Sequence, residues 1–139
     1  MSEIINPQDA ELEEVILGSC LIESKAITLI ADILRPEAFY NEKNLEIYAT
    51  LQSMYRNGQK IDIITVKEEL TRRGKLEFIG GPYTLAHISG RVASSAHLEY
   101  HARILKQKYI RRETILGFHK LLALAADETT DIDLSLIHI

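Results

Sequence analysis

Cysteine is almost absent from this sequence of 139 residues: Cys20 stands alone. One thiol can close no intrachain disulfide and build no multi-cysteine zinc cluster, which suits a reducing compartment. A membrane-spanning run is missing too. Such a span needs about 20 apolar residues, and the opening MSEIINPQDAELEE has neither a basic start nor an apolar centre. The expectation is a cytoplasmic chain without membrane contact. Positive charge is in short supply, and a net charge of −4 argues against a chain built mainly to coat nucleic acid, since such domains carry a basic excess. The shortage is uneven: Met1 to Tyr55 holds 3 Lys and Arg against 10 Asp and Glu, and Arg56 to Ile139 holds 13 against 10. The acidic first half fits a basic partner surface better than DNA.

Catalytic constellations are equally scarce. The phosphate-binding pattern GxxxxGK[ST] has one near match, Gly74-Lys75. Leu76 follows where Ser or Thr is required, and Glu69 stands where the first Gly belongs, so the chain lacks the loop that cradles a nucleotide phosphate. His97 and His101 have the i, i+4 spacing of a metal pair, but Leu98-Glu99-Tyr100 between them does not complete HExxH and no third ligand is near in sequence. They read as solvent-facing. Cys20 lies on an apolar stripe with no neighbouring base and reads as a buried thiol rather than a nucleophile. Glu11, Glu13 and Glu14 read as a solvated face rather than paired catalytic carboxylates. No catalytic, cofactor or metal residue is assigned.

What the sequence does contain is helix signals. With 46% hydrophobic and 26% charged residues, it has the composition of a soluble globular domain, long enough to bury a core. Asn6-Pro7-Gln8-Asp9 predicts the start of a first helix, with Asn as cap and Pro at the first helical position. Leu12, Val15, Ile16, Ser19 and Cys20 form its buried stripe, widened by Leu17 and Leu21. A short helix is expected from Lys25 to Leu34, stopped by Arg35-Pro36. Asn41 is placed to cap a helix that Asn57-Gly58 ends. Ile61 to Ile64 reads as an extended connector, with Thr65-Val66-Lys67-Glu68 as a capping box and Gly74 as the stop. Pro82 opens a fifth helix that closes near Gly90 and carries Tyr83, Leu85, Ala86 and Ile88.

Ser94 or Ser95 is expected to cap the last helix, which meets no breaker except Gly117 before Ala126. Roughly 32 residues would span about 48 Å, against a radius of gyration near 14 Å for a compact chain of this length, so the helix is expected to project. Leu98, Ala102, Leu105, Tyr109 and Leu116 share one stripe, which can lie on the body. Ile115, Phe118, Leu122 and Ala126 share another that points elsewhere, an apolar patch that needs a partner unless the chain bends at Gly117 and folds back. Arg103, Lys106, Lys108, Arg111 and Arg112 spread over the non-buried surface of the same helix. They are the candidate nucleic-acid contacts, Arg111 and Arg112 foremost, although no aromatic platform accompanies them.

The order Pro-Glu-Ala-Phe-Tyr, Ile-Tyr, Met-Tyr, Gly, Ile-Asp, Thr-Val, Glu-Glu-Leu, Gly, Leu, Gly-Gly between Pro36 and Gly81, with Ser94-Ser95-Ala96 and Glu99-Tyr100, resembles the N-terminal domain of the bacterial replicative DNA helicase, the DnaB family. The likeness runs from about Asn6 to Ala126. It implies an all-α fold, a bundle of about six helices whose long C-terminal helix forms half of a helical hairpin. Residues 1–110 would be the globular head and 111–133 the first hairpin helix with its loop. Leu134 to Ile139 reads as a sequence scar, a translated transposon-end adapter, and the natural chain is expected to continue past Asp133 into a second hairpin helix, a linker and a motor domain. The resemblance implies a scaffold: hairpins pair between subunits of a hexamer, and the resulting collar docks primase and the helicase loader. Ile115, Phe118 and Leu122 would then pack between subunits. ATP and Mg would belong to the motor, as would DNA unwinding. The alternative is a stand-alone helical nucleic-acid-binding or adaptor module using Arg103 to Arg112.

Overall fold

The computed structural model describes residues 9–127, and Asn6, Pro7 and the Leu134–Ile139 hexapeptide lie outside them. The described residues form five α-helices and two 3₁₀ segments, with no strand among them. The helices are α1 (Ala10–Ile22), α2 (Glu42–Arg56), α3 (Ile63–Arg72), α4 (Pro82–Gly90) and α5 (Leu98–Ala126); the 3₁₀ segments, Ala26–Leu29 and Pro36–Ala38, lie between α1 and α2.

Helix α1 is capped by Asp9, whose carboxylate accepts the Leu12 N–H at 3.0 Å. Ile16, Leu17, Cys20 and Leu21 are buried as the stripe predicts. Against this helix lies α4, and Gly18 makes the approach possible: a Cβ there would stand 2.6 Å from the Ile88 carbonyl oxygen and 2.7 Å from Val92 Cγ2. At the rim, Arg91 pairs with Glu14 at 2.6 Å and with Glu11 at 3.4 Å.

The helix expected over Lys25 to Leu34 is a 3₁₀ turn followed by hydrogen-bonded turns. β-branched Ile27, Thr28, Ile30 and Ile33 weaken an α-helix there, and α2 supplies the missing hydrogen bonds. Gln52 Nε2 donates to the carbonyls of Ala31 at 3.1 Å and Leu34 at 3.4 Å, and the Tyr48 hydroxyl donates to Leu34 at 2.9 Å. The Tyr48 ring stacks on Phe39, centroids 4.8 Å apart. Burial pushes the Tyr48 hydroxyl well above the usual phenol range.

Asn41 caps α2 as expected, accepting from the N–H groups of Lys43 and Asn44, and Gly58 and Gly74 follow α2 and α3 at φ of 71° and 70°. The start of α3 differs from expectation. Asp62 is the cap and Thr65 the third helical residue: Asp62 accepts the Thr65 N–H and the Thr65 hydroxyl accepts the Asp62 N–H, both at 2.9 Å. Ile63 and Ile64 therefore belong to the helix, because an Asp–Thr pair three apart closes the same reciprocal box as Thr–Glu, one turn earlier. At its other end Glu69 accepts hydrogen bonds from both Arg72 and Arg73.

Helix α5 runs unbroken through Gly117, so the fold-back alternative does not occur. It begins at Leu98 rather than after a serine cap. Ser95 instead donates its hydroxyl proton to Glu23, tying the loop to the end of α1.

Candidate functional site

Helix α5 has two different halves. Over the first, Leu98, Ala102 and Leu105 are buried against the body and Tyr109 packs partly on it. From residue 113 to 126 no side chain is buried. Leu116 is 52% exposed, Phe118 63% and Leu122 67%, while Ile115 is partly covered. The assignment of Leu116 to the body-facing stripe is thereby corrected: its angular position is that of Leu98, but the helix has passed the edge of the body by then. Ile110, on another face of the helix, is likewise 51% exposed.

The basic residues do not behave alike. Arg111 is exposed. Arg112 is 5% exposed, against the expectation that it shares the solvent-facing surface. Its Nη2 donates to the Ala38 carbonyl at 3.1 Å, and its guanidinium carbon lies 5.2 Å from the Tyr40 ring centre and 5.6 Å from that of Tyr109. Arg103 pairs with Glu99 one turn away at 2.9 Å, and Lys106 is exposed. The pair Arg111–Arg112 is thus split between water and the interior. Register carried the missed signal, since Arg112 is seven residues from Leu105 and three from Tyr109 and so continues the buried row.

Glu13 is the second buried charge the sequence reading missed. It is fully buried rather than part of a solvated face. Its carboxylate accepts the N–H of Tyr40 at 2.7 Å, the N–H of Asn41 at 3.3 Å and the Asn44 side-chain amide at 3.0 Å. The loop from Ala38 to Asn41 is therefore held by Glu13 of α1 on one side and Arg112 of α5 on the other.

The remaining candidates are dispersed. Gly74-Lys75 lies at the end of α3, where Lys75 Nζ comes within 3.9 Å of Glu46 and 5.4 Å of the Phe78 ring centre; a phosphate loop instead opens a helix. His97 and His101 meet edge to face at 6.3 Å. Among the described residues no group of three His, Cys, Asp or Glu side chains is placed to hold a metal ion, and no helix is long and apolar enough to cross a membrane. Cys20 is buried, and desolvation pushes its thiol up to about 12.

These features define an all-α domain with a loop gripped from two helices and a long last helix whose mostly apolar second half runs beyond the body. Residues 5–107 match the family described as DnaB-like helicase N terminal domain, and the chain belongs to that family. It is 43% identical over 108 residues to the replicative DNA helicase DnaB of Rhodothermus marinus, covering 78% of this chain and 12% of that protein. It is 33% identical over 119 residues to the replicative DNA helicase DnaC of Bacillus subtilis, covering 83% of this chain and 26% of that one. The chain thus spans about a quarter or less of the length of these curated relatives. The crystal structure of the N-terminal domain of DnaB helicase from Mycobacterium tuberculosis superposes with a TM-score of 0.83 at 30% identity, covering 88% of this chain and 89% of that one. A DnaB-like replicative helicase, described with its interactions with primase, matches with a TM-score of 0.73 at 28% identity over 83% of this chain and 27% of that one.

Proposed function

We propose that this chain is the scaffold domain of a hexameric replicative helicase, associating with copies of itself through the second half of α5 and presenting a collar on which primase and a loader dock. The apolar row carries this reading. Phe118 and Leu122, with the partly covered Ile115, share one face of a helix that has left its own body, and exposed apolar surface of this kind marks an interaction site. The similarity to a helicase described with primase supports the docking role. Unwinding, with ATP and Mg bound by a P-loop and DNA passing through the ring, would fall to a motor domain beyond this chain, in the cytoplasm. Nothing in the residues 1–139 supplies a P-loop.

Sedimentation velocity over a concentration series tests the association. Concentration-dependent self-association is expected, and Phe118→Asp with Leu122→Asp should abolish it while leaving the far-ultraviolet spectrum of the body intact. A chain that stays monomeric at the highest concentration, or associates unchanged after both substitutions, would overturn the reading.

A further inference from the structure

Arg112 stands at the point where α5 leaves the body. Leu98, Ala102 and Leu105 are buried along one line of the helix, and a single line of contacts leaves a rod free to swing about it. Arg112 is the last buried residue of the helix. Beyond it, the stretch to Ala126 is about 21 Å long; without it the last contact with the body retreats to the partly buried Tyr109, lengthening the unsupported arm by about 5 Å. The grip is directional. A planar guanidinium set against two rings, Tyr109 of its own helix and Tyr40 of the facing loop, and hydrogen-bonded to the Ala38 carbonyl, can be satisfied at one orientation only.

The surface that Arg112 grips is itself held. Ala38 ends the second 3₁₀ segment, Phe39 to Asn41 connect it to α2, and the buried Glu13 carboxylate takes the Tyr40 and Asn41 N–H groups. Glu13 and Arg112 thus act on the same four residues from two helices.

We propose that Arg112 is the positioning residue that sets the direction in which the second half of α5 leaves the body, and that it does so through the Ala38–Asn41 loop, which Glu13 holds in register. This deepens the association reading, since the direction of the helix decides how two copies could pair. It also stands apart from it, because direction is a property of one chain.

Spin labels on Lys67→Cys in α3 and Lys120→Cys in α5, both exposed positions, with Cys20→Ala and an excess of unlabelled chain, report the direction as an intrachain distance. The parent should give one narrow distribution. Arg112→Met, which keeps length and burial, should broaden it and shift its mean by several ångströms at unchanged helicity. Arg112→Lys should fall between the two. Glu13→Gln, though nowhere near α5 in sequence, should broaden it as well, and the effect of both changes together should be less than their sum. Should Arg112→Met not fold, Tyr40→Leu removes one ring and leaves the hydrogen bond to Ala38, and is read in the same way. An unaltered distribution in a folded Arg112→Met or Tyr40→Leu chain refutes the proposal. Sedimentation of the same samples separates the two readings: a shifted distance in chains that never associate retains the positioning role and removes the association.

Discussion

Two charged residues decide more than their types suggest. Glu13 and Arg112 look like surface residues in a sequence that is 26% charged, and both are buried. Their partners are remote: Glu13 bonds to residues 27 to 31 positions away, and Arg112 to one 74 away. No local pattern reveals such pairing, although register gave a hint, since Glu13 is one turn from Ile16 and Leu17 on the buried side of α1. Burying either charge is tolerable only because it is hydrogen-bonded. Cys20 behaves as its stripe predicts, and its consequence is chemical. With the thiol buried and pushed up to about 12, almost no thiolate exists near neutrality. A disulfide reagent at pH 8 should leave native Cys20 unmodified and react fully in denaturant; prompt native labelling would show that the interior of α1 opens readily.

Helix ends divide into those written locally and those that are not. Asn41, Gly58 and Gly74 act where local rules put them. At α3 the Asp62–Thr65 pair forms the capping box in place of one starting at Thr65, and Ile61 just before it is buried. Asp62→Ala should cost about 1 kcal/mol, read from urea midpoints. The hydrogen bond from the Thr65 N–H is the main cause of the lowered Asp62 pKa, and the Arg72 hydrogen bond the main cause at Glu69. Both carboxylates thus ionise more readily folded than unfolded. Their stabilisation is whole above the unfolded values near pH 4 and is lost as pH falls through the lowered folded ones. Asp62→Asn, which can still cap, should therefore narrow the gap between midpoints at neutral pH and pH 3. Packing between helices is a separate matter. Gly18→Ala should destabilise by about 1–3 kcal/mol, since the nearest obstacle is the Ile88 backbone; a neutral result in chemical denaturation would mean that α4 can slide away.

At the scale of the molecule, the domain is a body with one helix running past it, and the physics of association should follow. If copies meet through Ile115, Phe118 and Leu122, the contact is apolar, and sedimentation should show association that persists or strengthens from low to high salt. Contact through Arg111 and its basic neighbours would weaken instead. The sequence by itself determined the all-α class and the family likeness, because helical periodicity, caps and breakers act within a few residues of one another; that the final helix passes Gly117 without a bend was decided by the structure. The sequence also placed an apolar row after Ile115. Only the tertiary structure decided where the body ends along α5, and hence that Leu116 is exposed and Arg112 is not. Helical angle states which residues share a face. Whether anything lies opposite that face depends on the Ala38–Asn41 loop and α1, brought there by folding.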